Sequence, residues 1–330
     1  MRLISLLLLG VLIVVVGLGI WLYTPDRSLA ALQAKYGGDY VEAAGAKLRV
    51  KDTGPRNAPA VILLHGFGAS LDTWDPWAAA LSQHYRVIRF DLPGFGLTGP
   101  DPSGDYSDQR TVLILAALMD RLGLPRASLI GNSLGGKIAW NFAVEYPGRV
   151  EKLILIAPDG FASPGFEYGK KPQLPFILRL LPYVMPRPML RMNLAIAYAD
   201  KSRLTNATLT RYDDMMRAPG DRTAMLARMQ QVMLQDPAPL LRRIQAPTLI
   251  LWGEQDSMIP FSNSADYIND IPNAKLVALP GLGHVPFEEA PAQSLPPSRR
   301  SWLRRSAFSS AAQAPAPAVE LPGTSNPPAP

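Results

Sequence analysis

Gly131-Asn132-Ser133-Leu134-Gly135 sets one serine between two glycines, directly after the β-branched apolar run Ser128-Leu129-Ile130 and before a stretch of helical periodicity. In a strand–turn–helix context the glycines omit side chains where a tight turn brings backbones together, and the serine hydroxyl is left exposed. A serine hydroxyl is a weak nucleophile at neutral pH and needs a general base. The chain holds only His65, His84 and His284. His84 lies in a polar connection and reads as a surface residue. His65 ends a strand inside a glycine-rich loop and reads as a brace. His284 closes Pro280-Gly281-Leu282-Gly283-His284, after the last apolar run, and is assigned as the base. A carboxylate is then needed to fix the imidazole tautomer. Asp256, in Trp252-Gly253-Glu254-Gln255-Asp256, is the assignment, with Asp159, directly after Leu153-Ile154-Leu155-Ile156, as its rival. Asp91 reads instead as the residue that orders its own turn, Asp91-Leu92-Pro93-Gly94. A tetrahedral intermediate also needs N–H donors for its oxyanion, and the backbones of Phe67 and Leu134 are the expected pair. The histidines show no paired spacing, so no metal is expected, and this chemistry requires no cofactor.

Elements must bring these residues to one place. Val61-Ile62-Leu63-Leu64, Val87-Ile88-Arg89-Phe90, Ser128-Leu129-Ile130 and Leu153-Ile154-Leu155-Ile156 are short, continuous apolar runs of the kind that suit strands buried on both faces. They alternate with helical periodicity over Thr111 to Leu122 and Lys137 to Tyr146, and Gly123 and Pro147 stand where those helices should stop. The pattern is βαβ, hence a mostly parallel, doubly wound sheet with right-handed crossovers. It resumes at Thr248 to Trp252 and Lys275 to Leu279. Between the two parts, residues 161–240 show Met- and Leu-rich helical segments, Phe176 to Met192, Leu194 to Ala199 and Arg222 to Leu234, broken by Pro182, Pro186, Pro188 and Pro219, which predict a helical cap.

The 330 residues are 48% hydrophobic and 18% charged, which excludes a disordered or fibrous chain, and Cys 0 excludes a disulfide framework, a thiolate nucleophile and cysteine metal sites. Of the formal charge of +6, Arg299, Arg300, Arg304 and Arg305 against Glu320 account for three; the rest is spread thinly, so no nucleic-acid face is expected. Leu3 to Tyr23 is an uncharged run that as a helix would reach about 31 Å, the thickness of a hydrocarbon core, and it ends in Trp21-Leu22-Tyr23, suited to an interface. It reads as a membrane anchor over a cleaved signal peptide, and Arg2 with the terminal amine favours its N-terminus inside. The expected organisation is an anchor over 1–24, a linker over 25–39, core over 40–160 and 241–291 with the cap between, and a disordered Pro- and Ala-rich tail over 292–330.

These residues resemble the α/β-hydrolase superfamily across roughly 40–291: His65-Gly66-Phe67-Gly68, Asp91-Leu92-Pro93-Gly94-Phe95-Gly96, Gly131-Asn132-Ser133-Leu134-Gly135-Gly136, Trp252-Gly253-Glu254-Gln255-Asp256 and Gly283-His284-Val285-Pro286. The resemblance implies the α/β-hydrolase fold with a Ser133-Asp256-His284 triad. Serine at 133 speaks against the dehalogenase and epoxide-hydrolase branches, whose nucleophile is aspartate. The anchor, Asn132 and the cap look like bacterial capped lipases and esterases, which implies a small-molecule ester substrate and a place on the bacterial inner membrane with the catalytic domain in the periplasm. Gly131-Asn132-Ser133 is also similar to the meta-cleavage-product hydrolases that cut C–C bonds, although those usually carry tryptophan where Val285 stands. Cofactor-free haloperoxidase-like and perhydrolytic members share the triad. A scaffold or lipid carrier on this fold would need neither Ser133 and His284 nor the loop from His65 to Gly68. Family members close with an amphipathic helix soon after the histidine. Here Pro291, Pro296 and Pro297 interrupt it, which raises the hypothesis of a shifted reading frame near Ser294 and predicts a poorly covered sheet edge.

Overall fold

A computed structural model describes residues 2–162, 167–170 and 172–295. Eight strands form one sheet: β1 (Asp39–Ala43), β2 (Ala46–Thr53), β3 (Ala60–Leu64), β4 (Arg86–Phe90), β5 (Ala127–Asn132), β6 (Val150–Ile156), β7 (Thr248–Gly253) and β8 (Ala274–Leu279). Their order is β1-β2-β4-β3-β5-β6-β7-β8. β1 and β2 join antiparallel, β2 lies antiparallel to β4, and every pairing from β4 to β8 is parallel. The apolar runs are strands because successive side chains reach two different cores. Ile62 and Leu64 pack with Leu129, Leu155 and Ile250 on one face, and Val61 and Leu63 pack with Ile130, Ile154 and Leu251 on the other.

The helices, in chain order, are α1 (Arg2–Leu22), α2 (Leu29–Tyr36), α3 (Asp75–Leu81), α4 (Asp108–Arg121), α5 (Leu134–Glu145), α6 (Arg187–Ala195), α7 (Asn206–Met216), α8 (Asp221–Gln231), α9 (Ala238–Leu241), α10 (Asn263–Asp270), α11 (Pro286–Glu289) and α12 (Pro291–Ser294). α4 and α5 cover the first face through Leu115, Leu118, Ile138 and Phe142; α3 covers the second through Trp77 and Leu81. Between β6 and β7 the described residues form helices, turns and one isolated bridge at Val184, with no strand. The stretch from Phe176 to Met192 is interrupted, as its prolines predict. A 3₁₀ turn over Phe176–Leu180 is followed by a break and then by α6 from Arg187. Pro182 and Pro186 cannot donate the amide bonds a continuous helix needs.

Two further differences from the expected organisation concern the ends. Residues 25–39 are no free linker: they contain α2, whose N-cap Ser28 accepts from the Ala31 N–H, and Arg27 and Lys35 pair with Asp213 and Asp214 of the cap. Residues 292–294 belong to α12, while the tail from 296 onward lies outside the described residues. β8 is the least covered of the parallel strands, with Lys275 and Leu276 exposed, in contrast to the fully buried β7. α1 is long and apolar enough to cross a membrane, and its residues from Ile4 to Trp21 are exposed.

Candidate active site

The turn from β5 into α5 carries Ser133 at φ 54°, ψ −120°, a left-handed conformation that a side chain rarely adopts. The glycines on either side permit it. A Cβ at Gly131 would lie 2.2 Å from the Gly135 carbonyl oxygen, and one at Gly135 would lie 2.2 Å from that of Leu64. The Ser133 N–H donates to the Ile156 carbonyl at 3.1 Å and its own carbonyl accepts from Asp159 N–H at 3.1 Å. Half-buried Ser133 thus stands at the carboxyl ends of β5 and β6.

His284 follows β8 and is buried. Its Nδ1 meets Asp256 Oδ2 at 2.7 Å, and Asp256 Oδ1 accepts from the N–H groups of Met258 at 2.8 Å and Ile259 at 2.9 Å. Two backbone donors on one oxygen hold the carboxylate in place, and its other oxygen fixes the proton of neutral imidazole on Nδ1, leaving Nε2 as a base. Asn132 joins this pair to the elbow, because its Nδ2 donates to the Ile156 carbonyl at 3.1 Å and to the His284 carbonyl at 3.0 Å.

Asp159 is placed differently from Asp256. Its backbone is pinned by Ser133 and by Trp140 Nε1, which donates to its carbonyl at 3.0 Å, while burial pushes its carboxyl above the usual range despite Lys137 nearby. His284 contributes only a weak electrostatic effect on it.

The loop after β3 lies against Ser133: a Cβ on Gly66 would sit 3.3 Å from that of Ser133. Leu134 is the first residue of α5, so its N–H is one of the four that a helix cannot satisfy internally. Phe67 is partly exposed, with its ring edge-on to Phe95 at 5.2 Å. His65 is a brace, as read from the sequence. Leu92 N–H can only donate and reaches Nε2 at 3.0 Å, while the Gly66 carbonyl can only accept and lies 2.8 Å from Nδ1. Both ring nitrogens are therefore used, and burial pushes the imidazole below its ordinary value, toward the neutral form. Asp91 orders its turn by accepting from Leu71 N–H at 2.6 Å and Leu97 N–H at 2.8 Å. Among the described residues no group of three or more His, Cys, Asp or Glu could hold a metal ion.

Two positioning residues escaped the sequence reading. Buried Glu289 accepts from Gly283 N–H at 2.8 Å, beside His284, and from Asp200 N–H of the cap at 2.8 Å. Asn132, read only as part of a motif, has the role just described. A polar side chain between buried strand residues must find partners, and that was the available signal. In the cap, Phe176, Ile177 and Met192 face outward.

The fold and these loops define the class. Residues 59–291 match the family model described as the alpha/beta hydrolase fold, and the chain belongs to that family. A 2-hydroxy-6-oxo-6-phenylhexa-2,4-dienoate hydrolase from Burkholderia cepacia is 31% identical over 249 residues, covering 72% of this chain and 85% of the relative. The structure of a protein from Acinetobacter baumannii described as a putative lipase, at 26% identity, superposes with a TM-score of 0.69 over 81% of this chain and 93% of its own. A membrane phospholipase A, described as a bacterial virulence factor, is 25% identical with a TM-score of 0.65, covering 88% of this chain and 94% of its own.

Proposed function

We propose that the protein hydrolyses carboxylic esters with lipid-like or medium-chain acyl groups, through an acyl-enzyme on Ser133. Ser133 Oγ attacks the ester carbonyl while His284 Nε2 takes its proton, and Asp256 holds the imidazole and stabilises the imidazolium. The oxyanion accepts from the Phe67 and Leu134 N–H groups. His284 returns the proton to the leaving alcohol; water, deprotonated by the same nitrogen, then releases the acid. Through α1 the reading extends to a single-pass anchor in a bacterial inner membrane, with the catalytic domain on the periplasmic side.

One observation favours an ester over the dienoate named in the Burkholderia relative. A dienoate carries a carboxylate, and a buried site that accepts one needs an uncommitted cation. Two cap arginines reach the segment after His284: Arg203 donates to the Glu289 carbonyl at 3.0 Å, and Arg211 of α7 is taken by Glu288, which also accepts from Tyr212 Oη at 3.0 Å. Buried Arg228 of α8, 5.4 Å from the Phe95 ring, donates to the carbonyls of Tyr106 and Pro93 but has no carboxylate within ion-pair distance among the described residues and leaves its Nε without a partner, so the preference for an ester rests on Arg211. The second reading, C–C hydrolysis of a vinylogous diketone by the same triad, rests on the 31% identity to that relative.

Turnover of p-nitrophenyl esters of graded length tests the first reading. kcat/KM should rise from acetyl to a medium chain, each buried methylene contributing ~0.8 kcal/mol at most. A flat or falling profile counts against it.

A further inference from the structure

The anchor and the cap meet where α1 ends. Tyr23 forms an antiparallel bridge with Val184. Thr24 N–H donates to the Tyr183 carbonyl at 2.8 Å, and Met185 N–H to Thr24 Oγ1 at 3.2 Å. Ion pairs continue the join: Arg27 with Asp213 at 2.8 Å, Asp26 with Arg222 at 2.7 Å and Lys35 with Asp214 at 2.6 Å. Whatever surface α1 enters, the cap is therefore held at it by a short ladder of one bridge, a side-chain hydrogen bond and ion pairs, and not by a loose tether.

The cap residues leading into that ladder are apolar and uncovered. The 3₁₀ turn Phe176–Leu180 runs directly into it, with Tyr183 and Val184 N–H both donating to the Leu180 carbonyl at 2.9 and 2.8 Å. Phe176 is 74% exposed, Ile177 65% and Tyr183 59%, beside Trp21 of α1 at 74%. Neighbouring apolar side chains exposed to this degree mark an interaction surface. Arg179 lies 5.4 Å over the Phe176 ring, and among the described residues neither it nor exposed Arg187 has a carboxylate within ion-pair distance. Arg187 donates to Thr210 Oγ1 at 2.7 Å and so is held without its charge being neutralised; apolar tips with such guanidinium groups beside them match the boundary between acyl chains and phosphates.

We propose that the turn Phe176–Leu180, with Tyr183, dips into the acyl–headgroup boundary of the bilayer that α1 crosses, so that the cap rests on the lipid surface. This rests on the reading of α1 as a membrane span. The occupant is lipid, because the ladder ties the patch to the end of that span.

The chain has no cysteine, so Val14→Cys, Ile177→Cys and Lys275→Cys can each carry one environment-sensitive fluorophore in the full chain, reconstituted in phosphatidylcholine vesicles. A lipid spin-labelled near its headgroup should quench position 177 severalfold and leave 275 unchanged, while a lipid labelled in mid-chain quenches position 14. Quenching at 14 with 177 behaving like 275 overturns the proposal and leaves the anchor standing. No quenching at 14 removes the anchor and the proposal together. A blue shift at 177 without quenching means that a second copy of the chain covers the patch, which also overturns it. As a functional arm, Ile177→Glu should lower turnover of a vesicle-embedded ester about tenfold while turnover of a water-soluble acetyl ester holds. Equal loss on both would assign Ile177 to the cap's internal packing instead.

Discussion

At the scale of single residues, the strained Ser133 backbone would cost on the order of 1–3 kcal/mol by itself, and it persists because Gly131 and Gly135 let three backbone segments pass within contact distance. The G-x-S-x-G spacing made this legible in the sequence. The acid was harder, since two aspartates follow adjacent strands. Their environments now separate them: Asp256 meets the imidazole and has two N–H donors on its other oxygen, whereas the Asp159 carboxyl is pushed up by burial, which favours its neutral form. Ser133→Ala should lower kcat by on the order of 10⁶-fold, Asp256→Asn by on the order of 10⁴-fold, and Asp159→Asn by far less. Steady-state kinetics on a p-nitrophenyl ester would reverse the assignment if Asp159→Asn abolished turnover while Asp256→Asn kept it. Asn132 and Glu289 were not legible in these roles, because their partners are backbone groups distant in sequence that only the fold brings near.

At the scale of elements, apolar runs and glycine or proline stops located the strands and the crossover helices α4 and α5 to within a few residues. The cap was legible as helical, and its prolines marked the break between the 3₁₀ turn and α6. The stem was misread as a linker because its partners, Asp213 and Asp214, lie on α7, far along the chain. Arg27 and Lys35 are partly exposed, so each pair should contribute no more than about 1 kcal/mol. Burial would raise the Asp214 carboxyl, yet hydrogen bonds from Lys35 and Tyr36 outweigh it and hold the group below the ordinary carboxylate range. A depressed carboxylate stabilises the fold fully above its unfolded value of about 3.9, and that stability fades as the pH falls through the lowered folded value. Asp214→Asn should therefore lower Tm at neutral pH and match the wild type once the pH is below both values. Calorimetry across that range checks it, and a gap that widens toward acid would contradict the latch.

At the scale of the whole molecule, a sheet buried on both faces needed only the pattern of its apolar runs, and so the fold followed from sequence. Its far edge at β8 is exposed, with Lys275 and Leu276 open to solvent. Substrate choice was less legible, because one triad serves ester and C–C cleavage alike and the difference lies in charges that fold in from the cap. Arg211 paired with Glu288 leaves that cation committed, so a neutral acyl ester should be preferred to an anionic diketone. The direct measurement compares kcat/KM of the purified full-length protein for a medium-chain p-nitrophenyl ester and for a vinylogous 1,5-diketone bearing a carboxylate. A ratio well above one in favour of the ester, lost in Ser133→Ala, is the predicted result; clear preference for the diketone would contradict the ester hydrolase reading.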